Sequence, residues 1–506
     1  MVARREAPSG GQVIRAGTPV ALAVASALAL ALGACEPGGD VGGRPGGEGR
    51  HAAARPAAES VTSAGATAQP VTSDSTARAT SAVLEQLLFS QAAPPELPQS
   101  HWNLIRRLYD ARRYAPLWAG PTVATDTGRA RQALLCRAAR EGVAVPPEAP
   151  ESLAQRDLRL TTALLRYLET LAHGERAPAT VGAAWRVPAP AAPDDSTLAA
   201  AVRMPDAAAL ARLEPAGAQP RRLGDALARL LAVEAAGGWP RLPDSARLRP
   251  GARDSAVPVL RRRLVLSGDL PAADSAGGLY DATVRAAVRR FQIRLGLAPD
   301  GRIGAETRHA LAVPAAERAR TVAANLERYR WLPRAPQQPT LLFDLGEGAA
   351  QLWRGGAPVL SLPVRATPAC RALPPVLADT LAGARGDSAT LTLALRGGAT
   401  LTLRAGHPAA RPRATPARAD GACLVTDDLA GLRAALGGGA DAAGVPPSPL
   451  LVYYIFPTVL VRDDTGLVFR RDTTGADAGL TQALPAPRPA PAACAAGTSP
   501  PASGTF

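Results

Sequence analysis

The chain has 506 residues, 47% of them hydrophobic and 20% charged, which at roughly 100 to 200 residues per domain allows two to four domains and excludes a mini-protein. With 48 Gly and 49 Pro and only 4% aromatics, part of that length must be linker, so a single globule is not expected. The formal net charge is +14, but Lys is absent and the 57 basic residues are all Arg, dispersed and without a recognition-helix or RNA-binding motif, so nucleic acid is not an expected partner.

Arg4, Arg5 and Arg15 precede an apolar run from Thr18 to Ala34, the form of a secretory signal. The run is at the short edge of a spanning helix, so an uncleaved anchor is the alternative. Its ending, Leu32-Gly33-Ala34-Cys35, resembles the bacterial lipobox. That resemblance implies a lipoprotein signal peptide over 1–34 and lipidation of Cys35, which becomes the mature N-terminus. The next residue, Glu36, is not the Asp associated with inner-membrane retention. No second apolar run of spanning length follows, so an exported protein is expected, anchored to the membrane and facing the periplasm and cell wall.

Residues 35–83, rich in Gly, Pro, Ala and Ser, read as a flexible tether. From Leu84 the pattern turns helical, through Leu87, Leu88, Leu104, Leu108 and then Leu160, Leu164, Leu168 and Leu171, so 84–247 reads as all-α. Over 248–313, a helix with Leu260 and Leu264 ends at Gly268. Asp281 then caps a second helix whose Val284, Val288, Phe291 and Leu295 line one face, and Gly304 to Leu311 supplies a third. A connecting helix is expected over 314–338. Residues 339–485 read as β-rich, a modest sandwich of runs such as TLLFDL, AAQLW, ATLTLAL and LLVYYIF, interrupted by one helix from about Asp427 to Leu436. Residues 486–506 read as a disordered tail. The fold class expected is multidomain α+β: an all-α scaffold, a three-helix module and a β-rich domain.

Family resemblance enters with the three-helix module. Tyr280-Asp281, Ala287 through Gln292, Gly296-Leu297, Asp300-Gly301, Ile303-Gly304 and Thr307 resemble the signature of the bacterial peptidoglycan-binding-like domain. Outward from it, Leu108-Tyr109 through Tyr114-Ala115-Pro116-Leu117-Trp118, the run Asp157 to Arg176 and Gly237-Gly238-Trp239-Pro240 are similar to the scaffold domain of the large murein L,D-transpeptidases. Asn325 through Arg334 (NLERYRWLPR) resembles the junction into their catalytic domain. Tyr453-Tyr454, Thr458, Asp463, Phe469-Arg470 and Gly475-Ala476-Asp477 follow that family's last strands. The resemblance implies peptidoglycan as partner and no cofactor or metal; no CxxC or Cys/His metal spacing occurs either.

In that family a Cys just before a helix attacks the peptide carbonyl of a stem tetrapeptide, a His accepts its proton, and a second stem resolves the acyl-enzyme into a 3-3 cross-link. The resemblance places Cys423 as that nucleophile and His407 as its base. The motif departs from the family pattern, however. Asp420-Gly421-Ala422-Cys423 stands for Ser-x-Gly-Cys, and Val425 replaces the Arg two places on. His407 lies in Ala405-Gly406-His407-Pro408, and an alignment guided by Pro408 puts Ala405 at the His position. The roughly forty residues between Thr367-Pro368 and His407 read as a deleted substrate lid.

Two readings stand: a tethered peptidoglycan-binding protein with a degenerate catalytic domain, in which Cys423 is a buried small hydrophobe, or an active L,D-transpeptidase acting through Cys423 and His407. Cys136 is expected in a helical core. Cys370 and Cys494 are disulfide partners or bystanders, since four scattered cysteines do not read as a disulfide framework.

Overall fold

A computed structural model describes residues 73–490 and 494, apart from 94–96, 119–125, 146–150, 183–184, 186, 216, 407–421, 438–448, 464 and 471–474, all within the unit Ala68–Phe506. The signal segment, Cys35 and His407 lie outside the described residues. Among those described, no helix is long and apolar enough to cross a membrane.

The all-α part comprises α1 (Ser73–Ser90), α2 (Gln99–Asp110), α3 (Asp126–Arg140), α4 (Leu153–His173), α5 (Pro178–Val181), α6 (Asp195–Arg203), α7 (Ala207–Ala211) and α8 (Gln219–Ala235). The first eleven residues of α1, Ser73 to Val83, lie in the stretch read as linker. At α4 the start is fixed by a capping box: Gln155 N–H donates to Ser152 Oγ, and Ser152 N–H donates to the Gln155 side chain. Leu164, Leu165 and Leu168 are fully buried along its apolar face. Two polar residues of α4 hold the YAPLW loop. Asp157 accepts from Leu117 N–H at 3.0 Å, from Trp118 N–H at 3.0 Å and from the Tyr109 hydroxyl at 2.5 Å. One turn on, Thr161 Oγ1 accepts from the Trp118 indole at 2.9 Å. Desolvation raises the Asp157 pKa, and these donors oppose that shift by favouring the ionised form.

The three-helix module follows, with α9 (Val257–Leu266), α10 (Ala282–Arg294) and α11 (Ala305–Ala312) around Leu260, Leu264, Val284, Val288, Phe291 and Leu311. Asp281 caps α10 by accepting from Val284 N–H at 2.9 Å. The motif residues of the module form a buried polar knot. Gln292 Oε1 accepts from Gly301 N–H at 2.8 Å, and its amide donates to Asp300 at 2.8 Å and to the Arg302 carbonyl at 2.9 Å. Gly301 sits at φ +70°, where a Cβ would lie 2.7 Å from Arg285 Cγ and 3.1 Å from the Arg285 carbonyl oxygen, so a side chain is excluded both by backbone conformation and by space.

The connecting helix is α12 (Ala315–Arg330), and the β-rich part contains β1 (Thr340–Asp344), β2 (Ala349–Arg354), β3 (Ala357–Pro363), β4 (Arg365–Ala366), β5 (Val376–Gly386), β6 (Thr390–Leu395), β7 (Thr400–Ala405), β8 (Leu424–Thr426), α13 (Leu429–Ala435), β9 (Leu451–Ile455), β10 (Val459–Arg462), β11 (Gly466–Phe469) and α14 (Ala476–Ala483). Instead of a modest sandwich, nine strands join in one mixed sheet, ordered β3-β2-β1-β9-β5-β6-β7-β8-β4, beside a β10–β11 hairpin. Parallel pairs occur at β1/β9 and β7/β8.

The stretch expected to mark a missing lid is sheet: β5 pairs with β9 over Val376–Thr380, shifts register between Leu381 and Gly383, and continues against β6. Its sequence, VLADTLAGARG, lacks the β-branched alternation that announces a strand.

Candidate functional site

The residues expected to carry chemistry converge on the start of β8. Cys423 is held there by backbone: its N–H donates to the Thr402 carbonyl at 2.8 Å, and its carbonyl accepts from Thr367 N–H at 2.8 Å. Thr367 Oγ1 also donates to the Ala422 carbonyl at 2.7 Å. Thr367 then caps a short 3-10 turn, Pro368–Ala372, that carries Cys370 to within 4.6 Å Cα–Cα of Cys423, and the two sulfurs form a disulfide. Both residues are buried, Cys370 at 1% and Cys423 at 4% exposure, in an apolar cluster with Leu377, Leu393, Leu424 and Leu432.

A thiolate is the nucleophile in acyl transfer. A disulfide sulfur has no proton to lose and no free lone-pair anion to offer. In the state described, Cys423 is therefore neither thiol nor thiolate. Val425, where the resembling motif has Arg, is buried at 2% exposure and packs over Gly406; a Cβ added to Gly406 would stand 3.2 Å from Val425 Cγ1. α13 is capped by Asp428, which accepts from Gly431 N–H at 2.8 Å, close to the position expected for that helix. Among the described residues no group of three His, Cys, Asp or Glu is placed to hold a metal ion.

The remaining pair is Cys136–Cys494, with a sequence separation of 358. Cys136 is thus not a core residue but half of a staple between α3 and the segment expected to be a disordered tail. That segment runs against the scaffold: a Cβ on Gly142, at φ +77°, would lie 2.5 Å from Pro487 Cβ. Cys370 and Cys494, expected as mutual partners or bystanders, each pair with a different cysteine. Spacing gave no signal for either pairing, because both depend on tertiary proximity across long loops.

The junction motif bonds to several other elements. Asn325 Oδ1 accepts from Thr458 N–H at 2.9 Å and Val459 N–H at 3.1 Å. Glu327 Oε1 accepts from Glu175 N–H at 2.6 Å and Arg176 N–H at 2.9 Å, and Arg328 pairs with Asp477. Tyr329 reaches Asp344 at 3.3 Å and Arg330 reaches Glu141 at 3.0 Å. The Trp331 indole donates to the Arg176 carbonyl at 2.9 Å, and Arg334 donates to the carbonyls of Leu213 and Leu171. Asn325, Arg328 and Tyr329 thus hold the β-rich part, while Glu327, Arg330, Trp331 and Arg334 hold the helical scaffold.

Beside the Thr367 turn, between the N-terminal end of α8 and the β-rich part, opens a cleft of about 780 Å³. Thr367 and Pro368 line it, but neither cysteine does. Its walls carry Arg222, Arg365, Arg462 and Arg470. Of these only Arg470 belongs to a segment that the sequence singled out, because uniform Arg usage hides functional guanidiniums among ordinary surface ones.

Comparison with known proteins matches residues 103–227 to the Scaffold domain family and residues 253–311 to the family described as putative peptidoglycan binding domain. No curated protein matches the chain. Among solved structures, the L,D-transpeptidase (residues 123-326) from Xylanimonas cellulosilytica DSM 15894 aligns at 17% identity over 42% of this chain and 98% of that one, with a TM-score of 0.16, too low to establish a shared backbone. The two family matches fall in succession on the segments whose motifs build the α4 loop clamp and the Gln292 knot. They precede the junction helix and the β-rich domain, which is the order of parts that the resemblance to the large L,D-transpeptidases leads one to expect.

Proposed function

We propose that this protein is a lipid-tethered, peptidoglycan-binding member of the L,D-transpeptidase family whose β-rich domain no longer transfers peptidyl groups. The observation that carries the reading is the Cys370–Cys423 disulfide, sunk in the apolar core at the position where the family motif has its nucleophile. Supporting it, Val425 supplies packing where the motif has a guanidinium. The peptidoglycan-binding domain at 253–311 supplies the wall contact. Cys35 would supply the membrane end of the tether, with the Gly/Pro/Ala stretch after it as the spacer.

The test is intact-mass analysis of the purified chain after incubation with a carbapenem, with and without prior reduction, alongside sedimentation with isolated peptidoglycan. The expected result is no adduct in either state and co-sedimentation in both. A stoichiometric adduct that disappears in Cys423→Ala would overturn the reading in favour of an active transpeptidase. Failure to sediment with peptidoglycan would overturn its binding half.

A further inference from the structure

The cleft between α8 and the β-rich part has a chemical character that the wall-binding reading does not use. Two carboxylates line it and both are engaged. Glu347 Oε1 accepts from Ala218 N–H and Gln219 N–H, each at 2.6 Å, and Asp463 pairs with Arg222 at 3.0 Å. Gln219 is spent on Val461, accepting from its N–H at 2.9 Å and donating to its carbonyl at 2.7 Å. Arg470, by contrast, is half-buried with no acidic partner among the described residues. It lies 5.0 Å from the centroid of the Phe456 ring and donates only to the Pro457 carbonyl, at 3.4 Å. Burial pushes its pKa down to about 10, and the neighbouring Arg462 adds to that shift. Among the described residues the carboxylates that line the cleft are engaged elsewhere; a partly desolvated guanidinium left without one is costly, and a planar carboxylate is the group that its fork fits best.

The second feature is the sheet edge. β4 is the last strand of the nine, and it pairs with β8 on one side only. Thr367 N–H donates to the Cys423 carbonyl, whereas Cys423 N–H turns to Thr402 of β7. In a trans peptide the carbonyl points opposite to the next N–H, and along an extended strand successive residues alternate in direction. Ala366, opposite Leu424, is therefore a non-bonded position whose N–H and C=O turn away from β8, and Ala366 lines the cleft. An open edge is the element used in strand addition, and Arg462 and Arg470 line the same cleft. At about 780 Å³ the cleft also falls in the usual range of ligand sites, ~300–1,000 Å³.

We propose that this cleft binds a short extended peptide bearing a carboxylate, its backbone added to the β4 edge at Ala366 and its carboxylate held by Arg470 and Arg462. The apolar wall formed by Leu345, Val364, Phe456 and Leu460 takes the peptide's side chains. The site involves neither cysteine and does not depend on the catalytic state of Cys423.

The test is fluorescence anisotropy on the full chain. The probes are a dye-labelled acidic pentapeptide of L-residues, its counterpart with Gln for Glu and an amidated terminus, and a stem tetrapeptide released from peptidoglycan. The acidic peptide is expected to bind at least tenfold more tightly than the neutral one. Arg462→Glu, at an exposed side chain, should weaken the acidic peptide at least tenfold and leave sedimentation with peptidoglycan unchanged. Ala366→Pro removes only the outward N–H, so it should spare the β4–β8 pairing and weaken all bound peptides. Preference for the L-peptide or for the stem peptide tells a protein segment from a wall-derived one, and either supports the site. Equal affinity for acidic and neutral peptides, absence of saturable binding, or unchanged binding in both variants overturns it.

Discussion

The junction at Asn325–Arg334 and the turn around Cys423 both lie at family motifs, yet they have been treated oppositely. At the junction, Asn325, Glu327, Arg328, Tyr329, Arg330, Trp331 and Arg334 all find partners on another element. Around Cys423 the side chains make a core instead: Val425 packs over Gly406, and Cys370 closes on the sulfur. A buried charge persists only where it is paired, so the junction residues constrain one another and a single change strands a partner. A reactive thiolate has no such structural partners, and losing it leaves the fold intact. The difference separates a segment that ties the helical scaffold to the β-rich part from one that only packs a core.

The comparison breaks first if the junction tolerates change. Arg328→Ala leaves Asp477, which is 8% exposed, without its cation, and removing one member of a buried pair costs about 3–5 kcal/mol. The measurement is the urea midpoint followed by far-UV circular dichroism; a loss below about 1 kcal/mol would show that the network is ornamental. Next in size is the Cys370–Cys423 bridge, which closes a 53-residue separation. Replacing both cysteines by Ala should cost about 2–4 kcal/mol, the usual range for a native disulfide. Wild-type protein unfolded under reducing conditions loses the Cys136–Cys494 bridge as well, so its loss should be at least as large. If the reduced protein is as stable as the oxidised one, the bridge does not stabilise the fold, and the argument that Cys423 has become a structural residue loses its footing.

Much of the architecture was legible because it repeats simple rules. The i, i+4, i+7 spacing of Val284, Val288 and Phe291 and the Asp281 cap define α10 without help from tertiary structure, and the buried residues are those. The junction was legible only as a resemblance: nothing in NLERYRWLPR says which side chain meets Thr458 or Glu141 until the chain is folded. β5 was missed because Ala and Gly dominate it. Its place between β9 and β6 is set by tertiary pairing that overrides a weak local preference. The catalytic position of Cys423 was read from order along the chain, whereas its disulfide with Cys370 depends on a turn capped by Thr367. Arg470 and Arg462 carried no signal of their own in a chain whose only base besides His is Arg.

The smallest expected effect sharpens the contrast from the scaffold side. Glu169 on α4 and His101 on α2 meet at 2.7 Å with side chains about 15% exposed, and no guanidinium pairs with the carboxyl. Burial raises the Glu169 pKa to about 7, with Arg166 opposing, and burial lowers that of His101, where Asp195 opposes and His173 adds to the shift. Both shifts favour the uncharged pair, in which the carboxylic acid donates to the imidazole. Because the folded-state pKa of Glu169 lies above its ordinary value of 4.5, the folded protein holds a proton that the unfolded chain releases between these two values. The Glu169 contribution to stability should fall as pH rises from about 4.5 through about 7, the reverse of a salt-bridged carboxylate, while the lowered His101 pKa acts in the opposite direction. Glu169→Gln keeps the shape and one N–H donor and removes the titration. Melting temperatures from pH 4.5 to 8 should therefore match wild type at the acid end and exceed it by a few degrees at the alkaline end. A variant curve parallel to wild type would mean that Glu169 titrates normally and that the scaffold, unlike the junction, carries no strained charge.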